Sequence, residues 1–154
     1  MKKKSPGDST KEERPPQERV FLLDTSALIV FTEDEAGAEV VERVLREAAQ
    51  GKARVLVSFI TFMESYSWIL KRGDEEGARD FYLYMTTLPI ERVDIDERII
   101  IKAGEILASF PLGMAASWIV ASAIERRATL VHRDPAYAQV GHLVPLIGLP
   151  DRSE

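Results

Sequence analysis

The sequence contains no cysteine, and its 154 residues include only two histidines, His132 and His142. Without cysteine the chain can form no disulfide, no thiolate metal site and no cysteine nucleophile. Two histidines are too few for a histidine-rich zinc site. Any metal bound by this chain would therefore be held by carboxylate oxygens, which favours magnesium or manganese.

Long apolar runs are also lacking. No stretch approaches the roughly 18 consecutive apolar residues of a membrane span, and no apolar segment follows the N-terminal lysines as a secretory signal would require. We therefore expect a cytoplasmic protein without membrane contacts. Because the net charge is −5, nucleic acid would have to bind through a local basic patch rather than through the field of the whole molecule.

What is present is typical of one globular domain, with 45% hydrophobic and 29% charged residues. Residues 1–18 contain three prolines, a run of three lysines and almost no apolar side chains. Such a segment cannot offset the entropy of ordering, so it predicts a disordered leader. We expect the domain over residues 19–148 and a short tail over residues 149–154.

Short apolar runs alternate with helical patterns along the chain. Strands are predicted at 20–23, 54–57, 90–93 and 129–131, with a last edge strand at 143–145, and helices at 39–50, 58–73, 74–88, 94–110 and 115–127. This alternation predicts an α/β fold, a three-layer α/β/α sandwich with a mostly parallel central sheet.

Three carboxylates fall at matching places in this pattern. Asp24 follows the first strand, Asp134 follows the fourth, and Glu64 lies about two turns into the helix after the second. Asp24 could also be a simple helix cap, a role that Thr25 or Ser26 could share. Carboxylates that meet at one sheet edge repel one another. A divalent cation relieves that repulsion and can activate water for attack on a phosphodiester.

Four segments resemble, in order and spacing, the signature blocks of PIN domains, and most closely those of VapC-type toxins. The segments are Leu22–Ile29, Ser58–Glu64, Ala115–Ala121 and Ala128–Asp134, and the resemblance extends over about residues 20–145. It implies a PIN-like fold and an Mg²⁺- or Mn²⁺-dependent endoribonuclease that acts on RNA. It also implies silencing by a small antitoxin protein, as in a type II toxin–antitoxin pair, and a homodimer.

The resemblance places the family's acidic ligands on Asp24, Glu64 and Asp134, with Ser26 and Thr25 in support. One ligand is missing, because Ala116 stands where the family has aspartate. We therefore expect little or no cleavage. Either the site has decayed to a non-catalytic RNA- or antitoxin-binding module, or the aspartate was replaced deliberately to make a toxic protein tolerable. We favour replacement, because the other three acidic residues remain.

Two neighbours of Asp134 carry further predictions. His132 stands where threonine or serine is commoner in the family, and it could contact a phosphate or act as a general acid. The alternative that we favour is that it fills the turn after the strand. Arg133 is predicted to bind substrate phosphate, or to pair with Asp134. A phosphatase of the haloacid dehalogenase type is disfavoured, because it would need an aspartate where Ser26 stands.

Overall fold

The computed structural model describes residues 19–151, so the predicted leader lies outside the described residues. The chain forms five strands, six α-helices and one 3-10 helix in that part. In order they are β1 Arg19–Leu23, α1 Thr25–Thr32, α2 Ala38–Ala49, β2 Ala53–Ser58, α3 Phe59–Leu70, α4 Glu75–Thr87, β3 Glu91–Val93, α5 Glu97–Ser109, α6 Met114–Glu125, β4 Thr129–His132, the 3-10 helix Pro135–Val140 and β5 Leu146–Gly148. Between Arg19 and Asp151 no helix is both long and apolar enough to cross a membrane.

The strands form one sheet in the order β3-β2-β1-β4-β5, and every neighbouring pair is parallel. The first strand is therefore the central one, and Leu22 lies opposite Leu56 of β2 and Leu130 of β4. Connections run from β1 toward β2 on one side and toward β4 on the other. The carboxyl ends of β1 and β4 flank the point where the strand order reverses, which is where ligands bind in open α/β sheets.

Apolar side chains cover both faces of the sheet, and this makes the fold a three-layer sandwich. Leu23 points into a core with Leu28, Val41 and Val57. The adjacent Leu22 points to the opposite face, into a core built largely from α5 and α6. Successive strand residues alternate between faces, so an unbroken apolar run predicts a strand that is buried on both sides. The predicted α/β sandwich with a parallel sheet is confirmed.

Several predicted element boundaries are wrong, among them the end of α3, which is Leu70 rather than residue 73. Helix α5 starts at Glu97 rather than at residue 94, because the Asp96 carboxylate caps it by accepting a bond of 2.9 Å from the Ile99 N–H. Helix α6 ends at Glu125, and Arg127 follows with a left-handed φ of 52°. The last strand is 146–148 rather than 143–145. Val144 is buried in the core but lies in the loop before β5, so its burial was mistaken for a strand.

The residues just after β5 pack onto the domain. Leu149 is buried, and its N–H donates to the carbonyl of His132 at 2.7 Å. The turn before α2 comes close to this segment: a Cβ on Gly37 would lie 2.8 Å from Cδ of Pro150, and Gly37 has a φ of +98°. Both the backbone conformation and the close approach require glycine there.

Candidate active site

Asp24 lies between the central strand and the helix that follows it. Its carboxylate caps α1: Oδ1 accepts bonds from the Ser26 hydroxyl at 2.6 Å and from the Ala27 N–H at 2.9 Å. Its own N–H donates to the carbonyl of Val131 in β4 at 3.0 Å. The predicted cap and the predicted acidic position are therefore the same carboxylate, fixed at the carboxyl edge of the sheet.

The environment of Asp24 opposes its ionisation. The residue is only 4% exposed, and burial raises the pKa of its carboxyl group from 3.8 to about 6. Hydrogen bonds from Ser26 and Ala27 lower this pKa in part, as does the neighbouring Tyr137 phenol, whereas the nearby charge of Asp134 raises it. Dipolar donors thus offset only part of the cost of burying this carboxylate.

Glu64 is brought to the same edge by a contact between α1 and α3. The Thr25 hydroxyl donates to Oε1 of Glu64 at 2.6 Å and lies 3.0 Å from the hydroxyl of Thr61. Thr61 and Glu64 are one turn apart on α3, so they present their side chains on one face. Thr25 adjoins Asp24 in sequence and therefore holds the second predicted acidic residue close to the first.

Asp134, the third predicted acidic residue, comes from the other end of the chain. It is exposed, and its Oδ1 caps the 3-10 helix by accepting a bond of 2.9 Å from the Ala136 N–H. The preceding Arg133 donates its backbone N–H to the Ser26 hydroxyl at 2.9 Å. Ser26 therefore links the first acidic segment to the last, in addition to its bond with Asp24.

The guanidinium of Arg133 forms a largely buried ion pair with Glu35. Arg133 was predicted to bind a substrate phosphate or to pair with Asp134. The second contact is not among the ion pairs found within residues 19–151. Binding of a substrate phosphate stays a prediction. A phosphate would have to compete with Glu35 for this guanidinium.

Ala116 occupies the third position of α6, which follows the cap residue Gly113. The start of this helix lies against the start of α3, where the rings of Trp118 and Phe59 meet edge to face at 5.6 Å. An acidic side chain at position 116 would lie in the first helical turn, where the helix dipole favours negative charge. The predicted gap in the acidic set therefore falls on a helix start that is suited to an aspartate.

Tyr137 is a site residue that the sequence analysis missed. It is 3% exposed, and its ring meets that of His132 edge to face with centroids 5.0 Å apart. Its phenol lies near the Asp24 carboxylate. Burial raises its pKa far above the ordinary value, and the charges of Asp24, Asp134 and Glu64 raise it further. All three predicted acidic residues thus lie near this phenol. A tyrosine three residues after Asp134 was the available signal.

His132 is also enclosed, at 7% exposure, and burial lowers the pKa of its imidazole. Its Nδ1 has no hydrogen-bond partner within the described part of the chain. A neutral, enclosed ring favours the interpretation that His132 fills the turn over the interpretation that it contacts a phosphate. Both roles stay predictions.

The acidic side chains suit a divalent cation in kind, since carboxylate oxygens are the ligands that magnesium and manganese prefer. The positions of these side chains do not suit such a cation. Within residues 19–151, no three histidine or acidic side chains are grouped so that they could hold a metal ion. The methyl group of Ala116 contributes no oxygen. The residues present therefore do not form a complete metal site.

The chain has clear structural relatives among solved proteins. One is VapBC2 from Rickettsia felis, whose structure contains a DNA fragment from the VapBC2 promoter. It matches with a TM-score of 0.67 and 17% identity, over 85% of this chain and 99% of that chain. DNA-bound VapBC from Salmonella typhimurium matches with a TM-score of 0.69 and 19% identity, over 85% and 98% of the two chains.

VapBC-5 from Mycobacterium tuberculosis, a member of the VapBC family of toxin–antitoxin systems, has a TM-score of 0.59 and 17% identity over 86% of this chain and 98% of that chain. None of the curated protein sequences matches the chain significantly. The PIN domain family model matches residues 21–143, which include every acidic residue of the site. The chain belongs to the PIN domain family.

Proposed function

We propose that this chain is the toxin component of a type II toxin–antitoxin pair, built on the scaffold of a metal-dependent endoribonuclease and disabled at Ala116. The main support is the combination of three acidic residues of the family pattern with alanine at the fourth position. Asp24, Glu64 and Asp134 are each held by a hydroxyl or N–H donor at one sheet edge. Structural similarity to VapBC proteins from toxin–antitoxin systems adds to this support.

The residues that are present bind and orient, but they do not complete a reaction centre. The hydroxyls of Ser26 and Thr25 hold the Asp24 and Glu64 carboxylates at fixed positions. In a nuclease of this type a bound divalent cation would activate water and stabilise charge on the phosphate. Because the acidic set lacks an oxygen at position 116, the chain as it stands should bind such a cation weakly and cleave little RNA.

Replacing Ala116 by aspartate tests this proposal. We expect the A116D variant to cleave a mixed single-stranded and structured RNA substrate with Mn²⁺ or Mg²⁺, at a rate roughly a hundredfold or more above that of the unchanged chain. A chelator should abolish the cleavage. The physical reason is that a carboxylate at position 116 supplies the oxygen ligand that the alanine lacks. Cleavage is measured by gel electrophoresis of end-labelled RNA over time.

Ala115→Asp is the matched control, because it adds the same charge one residue earlier in the same helical turn. Equal cleavage by both variants would mean that the added charge, and not its position, is what matters. If neither A116D nor the unchanged chain cuts RNA, the non-catalytic binding module becomes the better function. The lack of a ready metal-binding group in the described residues favours that second candidate.

An apolar groove between α3 and α4 supports the proposed antitoxin partner. Its volume is about 600 Å³, and its apolar lining includes Phe59, Met63, Tyr66, Leu70 and Tyr82. Met63 is 57% exposed, and the rings of Tyr66 and Tyr82 meet edge to face. An amphipathic segment of an antitoxin could lay its apolar side chains in such a groove.

A homodimer and an RNA substrate also stay predictions.

Co-expression with the protein of the adjacent short reading frame tests the antitoxin proposal. We expect the two proteins to purify together and the Met63→Glu variant to retain at most about a tenth of the partner, because a charge would be buried in the groove. Leu83→Glu is the control, because Leu83 is 64% exposed on α4 and does not line the groove. Recovery of the chain alone, or equal retention by both variants, would contradict the proposal.

A further inference from the structure

We propose that Thr61 is a positioning residue of the acidic site, whose buried hydroxyl orients Thr25 and thereby holds the Glu64 carboxylate. Thr61 acts on Glu64 through Thr25 and is not itself proposed to contact a substrate. The role rests on the proposed function only in treating Glu64 as a working residue of the site.

The direction of the hydrogen bonds around Thr25 follows from the protons that are available. The Thr25 hydroxyl donates to Oε1 of Glu64 at 2.6 Å, and a hydroxyl has a single proton to donate. The contact of 3.0 Å between the hydroxyls of Thr25 and Thr61 must therefore take its proton from Thr61. The result is a chain of two bonds, from Thr61 to Thr25 and from Thr25 to Glu64.

Thr61 uses its hydroxyl differently from other residues on the helices. The hydroxyls of Thr32, Ser117 and Ser122 each donate to the carbonyl of the residue four positions earlier, a common local bond for a hydroxyl in a helix. Thr61 bonds instead to the neighbouring helix α1, and within residues 19–151 its hydroxyl has the Thr25 hydroxyl as its partner. The Thr61 hydroxyl therefore serves the contact between α1 and α3.

Burial gives this bond its effect on the site. Thr61 is 0% exposed, so water does not compete for its hydroxyl. A hydroxyl that accepts a hydrogen bond becomes a better donor, which strengthens the bond from Thr25 to Glu64. Thr61 and Glu64 lie one turn apart on α3. One helix thus supplies both the carboxylate and the group that orients the donor to it.

Thr61→Val tests this role, because valine keeps the shape of threonine and lacks the hydroxyl. The readout is the rotamer populations of Thr25 and Glu64 in the metal-free protein, measured by NMR from three-bond coupling constants. We expect the fraction of both side chains in minor rotamers to rise about fivefold, the effect expected for the loss of one hydrogen bond. Thr61→Ser should keep the populations of the unchanged chain, because serine retains the hydroxyl.

Thr32→Val is the control variant, because it removes a threonine hydroxyl that bonds within α1 itself, and it should leave Thr25 and Glu64 unchanged. A rise in Thr61→Val but not in Thr61→Ser supports the positioning role. Equal populations in these two variants, or a rise that is confined to Thr25, overturns it. If the valine variant does not fold, Thr61→Ala removes the same hydroxyl and is compared with Thr61→Ser in the same way.

Cleavage of RNA in the A116D background connects the role to the site. There Thr61→Val is expected to lower kcat about tenfold with KM within twofold, as is usual for residues that orient a working carboxylate. Thr61→Ser should retain kcat within about twofold, and equal kcat values for the two variants would overturn the role. If A116D cleaves no RNA, the proposed function fails and the rotamer measurement, which uses neither metal nor RNA, alone decides the role of Thr61.

Discussion

In the A116D background, replacement of Asp24 by asparagine is expected to reduce RNA cleavage roughly a thousandfold or more. Asp24 is the most deeply buried of the predicted acidic residues and lies at the carboxyl end of the central strand. Asparagine keeps the size of the side chain and an oxygen for the Ser26 and Ala27 donors, but it loses the negative charge. The loss of an anionic ligand removes several kcal/mol of transition-state stabilisation, which corresponds to such a factor.

The matching control is Asp80→Asn, which removes a carboxylate from the exposed surface of α4. Both variants are compared with A116D under single-turnover conditions, with circular dichroism to confirm folding. Cleavage by the Asp24→Asn protein within tenfold of the A116D rate would show that Asp24 serves only as a helix cap. Asp80→Asn should differ from A116D by less than about twofold, because an exposed charge is largely screened.

The same carboxylate should make the stability of the unmodified chain depend on pH. Burial raises the pKa of Asp24 from 3.8 to about 6, so the folded state binds this proton more tightly than the unfolded state does. The stabilisation from this proton is fully present below about pH 4 and is lost as the pH rises through about 6. A rise of this size corresponds to roughly 3 kcal/mol of unfolding free energy. Asparagine at this position cannot titrate and lacks this dependence.

Urea denaturation of the unmodified chain and of Asp24→Asn, repeated between about pH 4 and about pH 8, measures this effect. The unfolding free energy of the unmodified chain should fall relative to that of the variant by roughly 3 kcal/mol across this range. Taking the difference between the two proteins cancels the titration of groups that they share. A difference that stays constant, or that changes in the opposite direction, would contradict the burial argument.

The fold was largely predictable because its signal is local. Apolar runs such as Val20 to Leu23 predict strands that are buried on both faces. The strand order, with β1 at the centre, was not predicted. The boundaries were less predictable because caps decide them: Asp96 sets the start of α5. Val144 showed the limit of the apolar signal, since a buried loop residue cannot be told from a strand residue by composition.

The acidic site was predictable in its members but not in its contacts. Asp24, Glu64 and Asp134 follow from their places beside strands and from the family resemblance, and their roles stay predictions. The bond between Thr25 and Glu64 and the ion pair between Arg133 and Glu35 join segments far apart in sequence. No local pattern encodes such pairs. The phenol of Tyr137 was missed for the same reason, since Asp24, which it lies near, is at the other end of the domain.

The bond between Arg133 and Ser26 also affects when the site can form during synthesis of the chain. It joins residues 107 positions apart, and β1 gains β4 as a neighbour only after most of the domain has been made. Contacts of such long range form late in folding, and domains complete their folding as units during synthesis. A ribosome that has made only the first hundred residues therefore holds Asp24 without Asp134 or Tyr137. The acidic residues of the candidate site can therefore come together only after the last strands have emerged.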